Sequence, residues 1–464
     1  MSMGISKLLH EQYGPCELLR VEGTHWIVRA VSGVSLRIPP DKRSQFKVIE
    51  ESSHQAPKPV GPATPAPIVN PGREARRIIE SLRIGLPSLD IHTRRLAVGF
   101  TQTERFIDRF LQDISDNGGS AMTLKGAYGQ GKTFALTMLE KIAHECGFIT
   151  ARTEIDATEK CLNKPHHIYH DLMRNLSIPQ SSKKGAHLIA AKVVAHLNEH
   201  CRGSVNERNQ WLEDNIGCPP LSWLLSDPKL TDKPELIGLL GADPNYPIGK
   251  VRGKHAIAPT RKTWPAFNAG TQGDFASYLL SGIGRVARML GYKGFVVIMD
   301  EMEKWHELNW FQQTQAGNLL GGLIWGATAE VNSRGAKNEP KVEGFTHSNR
   351  CGGYPFTTEL RCHIGIAIAM TPPRDYDISD ELWSRYGTIN NANVPTIKKD
   401  KLFKYCERVV PIFAEAYGLA EPKPDELDHI ATNAIKIWQT HSELNTRYGV
   451  QAVIAAFDHW RDSQ

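Results

Sequence analysis

A chain of 464 residues, 41% hydrophobic and 23% charged, has the composition of a folded globular protein and is too long for one ordinary core, so two or three packed units are expected. No apolar run approaches the roughly 20 residues of a membrane span, and the opening Met1-Ser2-Met3-Gly4-Ile5-Ser6-Lys7 lacks the apolar stretch of a secretory signal, which points to the cytoplasm and to no membrane partner. A net charge of +5 is too mild to announce nucleic-acid binding, and eight cysteines without a CxxC pair argue against a zinc ribbon or a disulfide framework.

Residues 12–49 read as short strands (Glu17–Val21, Trp26–Val31, Val34–Ile38, Phe46–Ile49) separated by the turn pairs Glu22-Gly23 and Ser32-Gly33. The pattern predicts a small β-barrel over 1–50, similar to SH3-like or Tudor-like modules; a docking or stabilising role and direct nucleic-acid contact both remain open for it. Six prolines (Pro57, Pro59, Pro62, Pro65, Pro67, Pro71) and almost no large apolar side chain predict an extended linker over 51–72.

A helical pattern from Arg73 (Ala75, Ile78, Ile79, Leu82), closed by Gly85 and Pro87, opens the main unit, expected over 73–398. Phe106, Ile107, Phe110, Leu111 and Ile114 recur at helical spacing, and Asn117-Gly118-Gly119 ends that helix before the strand Ala121–Leu124. A glycine loop, a helix Phe134–His144, a strand Phe148–Ile155 and a helix carrying Ile168, Leu172 and Leu176 follow. Strands alternating with helices imply a parallel sheet wound by crossovers, an α/β core. Residues 177–270 break the rhythm and read as an insertion, with helical pieces at Leu188–Leu197 and Pro234–Leu240 and a Gly/Pro/Lys/Arg-rich loop. The helix Phe275–Leu290 then feeds Phe295–Met299, an unbroken apolar run that fits a strand buried on both faces. A helix from Trp305 to about Glu330 and a polar loop lead to a second such run, Ile364–Met370. Three helical patterns and no convincing strand after Lys399 predict a helical lid over 399–464.

Gly126-Ala127-Tyr128-Gly129-Gln130-Gly131-Lys132-Thr133 satisfies GxxxxGK[ST] between a predicted strand and the helix that begins at Phe134. Glycines let backbone N–H groups turn onto phosphate oxygens, Lys132 reaches the β and γ phosphates, and the Thr133 hydroxyl binds magnesium, which points to ATP and Mg2+ as ligands. Asp300, after five apolar residues, meets the need for a carboxylate at a strand tip that holds the metal. Glu301 follows as the candidate general base for water; a helix-capping role is the alternative. Thr371, at the tip of the next strand, is a candidate γ-phosphate sensor or a turn hydroxyl. Arg385 is a candidate transition-state cation, in cis or across a subunit interface, or an exposed arginine. Arg447 is a candidate to face the nucleotide from the start of the last helix, Val450–Trp460.

Other features carry less. His166, His167 and His170 have an i, i+4 pair but no acidic or cysteine partner nearby, so a surface cluster is the expectation. Lys250, Arg252, Lys254, Arg261, Lys262 and Trp264 interleave base and aromatic, as nucleic-acid loops and solvated loops both do. The segment Arg334–Arg350, with Lys337 and Lys341, reads as an engagement loop or as disorder.

From Arg73 to about Trp460 these residues resemble the BrxD-like ATP-binding proteins of BREX-type bacteriophage-resistance loci, relatives of the AAA+ and STAND ATPases. The resemblance is carried by the helix Ala75–Gly85, Val98-Gly99-Phe100, the loop Gly126–Thr133 with Phe134, Asp300-Glu301 with Glu303, Thr371-Pro372, Arg385, and Asn445-Thr446-Arg447. It implies an AAA-like αβα sandwich with a helical lid, ATP as ligand, and a place beside methyltransferase, helicase or phosphatase-like defence partners, with DNA and a second copy of the chain as further candidate partners. The N-terminal barrel, the proline linker and the length of 177–270 depart from the family pattern. Two rival readings follow the same motifs: a STAND-like nucleotide-gated switch or scaffold with little turnover, and a DNA-loading ATPase of the origin-recognition or helicase-loader class. The second is disfavoured by the short tail Arg461–Gln464 where a winged helix is expected.

Overall fold

The computed structural model of the chain describes the strands within 7–49 and residues 71–85, 96–246, 272–328, 361–372 and 387–464 save 442. Two compact units divide it, Met1–Ile68 and Val69–Gln464. In the first, β1 (Lys7–His10), β2 (Gly14–Glu22), β3 (His25–Ala30), β4 (Ser35–Ile38) and β5 (Phe46–Ile49) form an antiparallel sheet of order β4-β3-β2-β1-β5. β1 is too short to show a period in the sequence, yet it joins β2 to β5. No β4–β5 pairing closes the sheet among the described residues. Most of the proline-rich stretch lies outside them.

The second unit is built on a parallel sheet of order β10-β6-β9-β8-β7, made of β6 (Gly119–Lys125), β7 (Ile149–Glu154), β8 (Phe295–Asp300), β9 (Ile364–Met370) and β10 (Asn390–Asn393). β8 and β9 are buried along their whole length, and alternate residues face opposite layers. Phe295, Val297 and Met299, with Ile364, Ile366, Ile368 and Met370, join a cluster that holds α4 (Pro165–Arg174), α9 (Gln272–Met289) and α10 (Trp310–Thr328). Val296, Ile298, Ala367 and Ala369 face α2 (Thr101–Asn117) and α3 (Lys132–Glu145). Small residues on that side let α2 approach closely: a Cβ on Gly365 would lie 2.2 Å from Ile114 Cδ1.

The insertion supplies α5 (Ala186–His200), α6 (Val205–Ile216), α7 (Pro219–Leu225) and α8 (Pro234–Leu240), packed into the first of these clusters. α6 and α7 are additions to the sequence reading, although Ser204 and Glu207 form a reciprocal capping box that the SxxE spacing encodes. The helix expected from Trp305 begins instead at Trp310. Glu301 turns into a 3-10 segment, Met302–Glu307, and Asn309 and Gln312 cap α10 by exchanging backbone N–H bonds at 3.0 Å each. A third cluster joins α1 (Pro71–Arg83) to α11 (Lys399–Tyr417), α12 (Pro424–Gln439) and α13 (Thr446–Asp462), so the first helix packs with the last three. Arg83 clamps this bundle through Asp458, at 2.8 Å. Among the described residues no helix is long and apolar enough to cross a membrane.

Candidate functional site

β6 delivers the chain to Gly126, whose N–H donates to the Met370 carbonyl at 3.3 Å. The loop then turns twice through the left-handed region, at Gly129 (φ 74) and Gly131 (φ 101). Gly129 is constrained in space as well, since a Cβ there would lie 2.7 Å from Asn445 Nδ2. The leading N–H groups of α3, which no preceding helical turn satisfies, open onto a cavity lined by Gly129, Gly131, Lys132 and Thr133. Lys132 is buried, and its Nζ donates to the Gly126 carbonyl (3.0 Å), the Ala127 carbonyl (3.4 Å) and Thr371 Oγ1 (2.8 Å). Gln130 folds back over the loop: Oε1 accepts from Ala127 N–H at 2.7 Å and Nε2 donates to Thr396 Oγ1 at 2.8 Å.

β9 lies between β6 and β8, so the Thr371 tip stands between the glycine loop and the carboxylate strand. Thr133 Oγ1 donates to Asp300 Oδ2 at 3.0 Å across 167 residues of sequence. Asp300 is 2% exposed; its Oδ1 accepts from the Glu301 N–H at 3.0 Å, and its Oδ2 also takes Arg152 Nη2 at 2.9 Å. Glu301 sits at φ 60, a strained backbone for a glutamate, and the turn it makes brings it to the cavity wall. Burial, then the charges of Glu303 and Asp300, hold its carboxyl above the usual range; Lys132 opposes this and Glu154 adds to it. Glu303 accepts the Thr371 N–H at 3.1 Å.

The cavity, about 330 Å³, continues from these polar groups into an apolar half lined by Leu82, Leu96, Val98, Phe100, Ile397, Tyr405 and Val450. α13 closes its mouth. The Arg447 N–H donates to the Gly129 carbonyl at 2.8 Å, its Nη1 to Tyr128 Oη at 2.9 Å, and its guanidinium lies 5.9 Å from the centre of the Tyr128 ring. Asn445 caps the helix by accepting the Tyr448 N–H at 3.0 Å, which starts α13 at Thr446 rather than at Val450.

Lys132, Thr133, Asp300, Glu301, Thr371 and Arg447 therefore meet around one cavity or one bond away from it. Arg385 lies outside the described residues, as do Lys250–Trp264 and Arg334–Arg350. His170 Nδ1 pairs with the Gly241 carbonyl at 2.7 Å, and among the described residues no group of three side chains is arranged to hold a metal. Cys146, Cys161, Cys201, Cys218, Cys362 and Cys406 form no disulfide among the described residues. Arg152, Glu154 and the Gln130–Thr396 bond are absent from the sequence reading. Charged residues at alternate positions of the strand Ile149–Glu154, otherwise buried, are the signal that marks the first two.

Sheet, glycine loop and strand-tip carboxylates define the class: a mixed α/β protein with a parallel sheet and a GxxxxGKT loop leading into a helix. Residues 71–215, from α1 through the glycine loop to α6, match the family model described as BREX system ATP-binding protein BrxC/D, so over this stretch the resemblance read from the sequence holds. No curated protein matches the chain. A solved structure, the Aeropyrum pernix ORC2 protein in ADPNP–ADP complexes, aligns over 76% of this chain at 12% identity and a TM-score of 0.32. The chain spans 66% of that structure's length, and a likeness this distant carries no argument.

Proposed function

We propose that this site binds ATP with Mg2+ and hydrolyses it, and that the protein works in an anti-phage defence assembly, where nucleotide state sets its engagement of DNA or a partner protein. The single observation that carries the reading is the Thr133–Asp300 pair, 3.0 Å apart, beside the Lys132 ammonium at the tip of one parallel sheet. Its oxygen donors are hard ligands, and Glu154, Glu301 and Glu303 crowd further negative charge around them, which suits a hard dication. Thr133 and Asp300 are the residues that would hold it, and its chemistry is to neutralise charge on the phosphates.

In this reading Lys132 exchanges its carbonyl partners for phosphate oxygens, and the N–H groups from Gly126 to Phe134 cradle the anion. Glu301 takes the proton of the attacking water, Thr371 reads the terminal phosphate, and Arg447 carries the nucleotide state to the α11–α13 bundle through Gly129. The apolar half of the cavity takes the nucleoside. Numbered from the phosphate-loop strand the sheet order is 5-1-4-3-2, with an additional strand between loop and carboxylates; this supports an AAA-like core with a helical lid. For Arg385 we keep the role of a cation completing the site, in cis or from a second copy. The first unit, read as an SH3-like or Tudor-like module on a proline linker, is the candidate docking element, and the cytoplasm is the expected location.

The test is steady-state ATP turnover by the parent and by Glu301→Gln. The parent hydrolyses ATP, and the variant keeps nucleotide affinity while its turnover falls about 10²–10³-fold. Equal turnover in the two proteins would remove Glu301 as the base.

A further inference from the structure

Arg152 has no part in the phosphate-loop reading, yet it holds the most buried carboxylate of the site. It stands on β7, two residues before the strand ends, and bridges two elements: Nη2 donates to Asp300 Oδ2 at 2.9 Å and Nη1 to Thr137 Oγ1 on α3 at 3.1 Å. Thr137 Oγ1 is itself anchored, donating to the Thr133 carbonyl at 2.9 Å. The Asp300 side chain is 3% exposed and that of Arg152 21%, so the pair is sheltered from the solvent and salt that weaken surface pairs. The oxygen that Arg152 holds is the one that also accepts the Thr133 hydroxyl, and the other oxygen takes the Glu301 N–H. Of the three donors to Asp300, Arg152 carries a full positive charge.

We propose, resting on the Mg2+–nucleotide reading above, that Arg152 is a resident counter-ion: it neutralises Asp300 while the site is without nucleotide and yields that oxygen when Mg2+ enters with ATP. A divalent ion arriving alone meets a carboxylate already neutralised and a guanidinium that repels it. The same ion arriving with a triphosphate brings negative charge that offsets the guanidinium. Metal binding is thereby made conditional on nucleotide, and the Thr133–Asp300 geometry is kept ready between turnovers. Arg152 acts through Asp300 and is a positioning residue. Its planar fork, anchored at Thr137, fixes a direction that a lysine would not.

A merely structural arginine would also stabilise the fold, but by the same amount with or without metal. Thermal melts of the full chain separate the two in three buffers: EDTA, ADP with EDTA, and ADP with Mg2+. Arg152→Met melts below the parent in EDTA, because the buried Asp300 loses its paired cation. ADP with EDTA leaves the gap unchanged, and ADP with Mg2+ closes roughly half of it or more, since the metal then supplies the missing charge. Mn2+ without nucleotide, followed by its electron paramagnetic resonance signal, binds the variant about tenfold more tightly than the parent. A gap that is equal in all three buffers overturns the proposal. If Arg152→Met does not fold, Thr137→Val loosens the same guanidinium without touching Asp300, and a Mg2+-sensitive gap of smaller size is expected; a gap insensitive to Mg2+ would contradict it. A parent protein that ADP with Mg2+ fails to stabilise is a different result, and it removes the nucleotide reading itself.

Discussion

The two ends of the parallel sheet use charge in opposite ways. At the lower end, where β8 and β9 begin, Arg285, Arg288 and Arg361 surround His363, and among the described residues none of the three arginines pairs with a carboxylate. Arg285 donates to the Asn215 carbonyl at 2.8 Å, Arg361 to that of Asp116 at 3.5 Å and Arg288 to that of Tyr292 at 3.3 Å; the first two acceptors lie in the last turns of α6 and α2. Arg285 and Arg361 thus satisfy helix C-termini, where the peptide dipoles leave negative charge. At the upper end Asp300, Glu301, Glu303 and Glu154 crowd together against Lys132 and Arg152. There the cations hold carbonyls and carboxylates that an incoming triphosphate and metal would claim. The lower end gives its cations to the protein's own carbonyls, and on the proposed function the upper end holds its cations where a ligand would bind.

The sharpest way to break that comparison is to remove a cation from the upper end. Lys132→Ala takes away the buried ammonium and should weaken nucleotide binding by about 100-fold, on the order of 3 kcal/mol, in a titration with a fluorescent ADP. An unchanged affinity would mean that the upper end is as self-contained as the lower.

A smaller effect sharpens the other side. Burial first, then Arg288 and its neighbours, lowers the His363 imidazole from its ordinary 6.5 to about 4. The folded chain therefore binds fewer protons there than the unfolded chain between those values. The stability this group allows is fully present above pH 6.5 and is lost as pH falls toward 4. His363 stands at φ 49, a conformation that asparagine tolerates well, so His363→Asn should fold and should flatten the fall of melting temperature across that window. A parallel pH curve for the two proteins would show that the lower end does not titrate as its surroundings demand.

The parts of this arrangement that the sequence made legible are those with a local pattern. GxxxxGKT needs only neighbouring residues, and Asp300-Glu301 are marked by five apolar residues in front of them. The buried strands β8 and β9 are unbroken apolar runs. What stayed hidden depends on partners far along the chain. Arg152 reaches Asp300 across 148 residues, Gln130 reaches Thr396 across 266, and Arg447 reaches Tyr128 across 319. β10, Asn390–Asn393, has no apolar residue except Ala392; it is a strand because β6 offers it an edge, not because its own side chains ask for one. The left-handed turn at Glu301, which shortens the following helix, likewise has no glycine or asparagine to announce it.

The measurement that bears most directly on the site is a double-mutant cycle for Mg2+–ATP affinity between Thr133→Val and Asp300→Asn. If loop and carboxylate grip one metal, each single change removes most of the Mg2+-dependent affinity and the double variant loses little more, a coupling of about 1 kcal/mol or larger. Losses that simply add, or an ATP affinity indifferent to Mg2+ in the parent, would show that the glycine loop and Asp300 do not serve a common ligand.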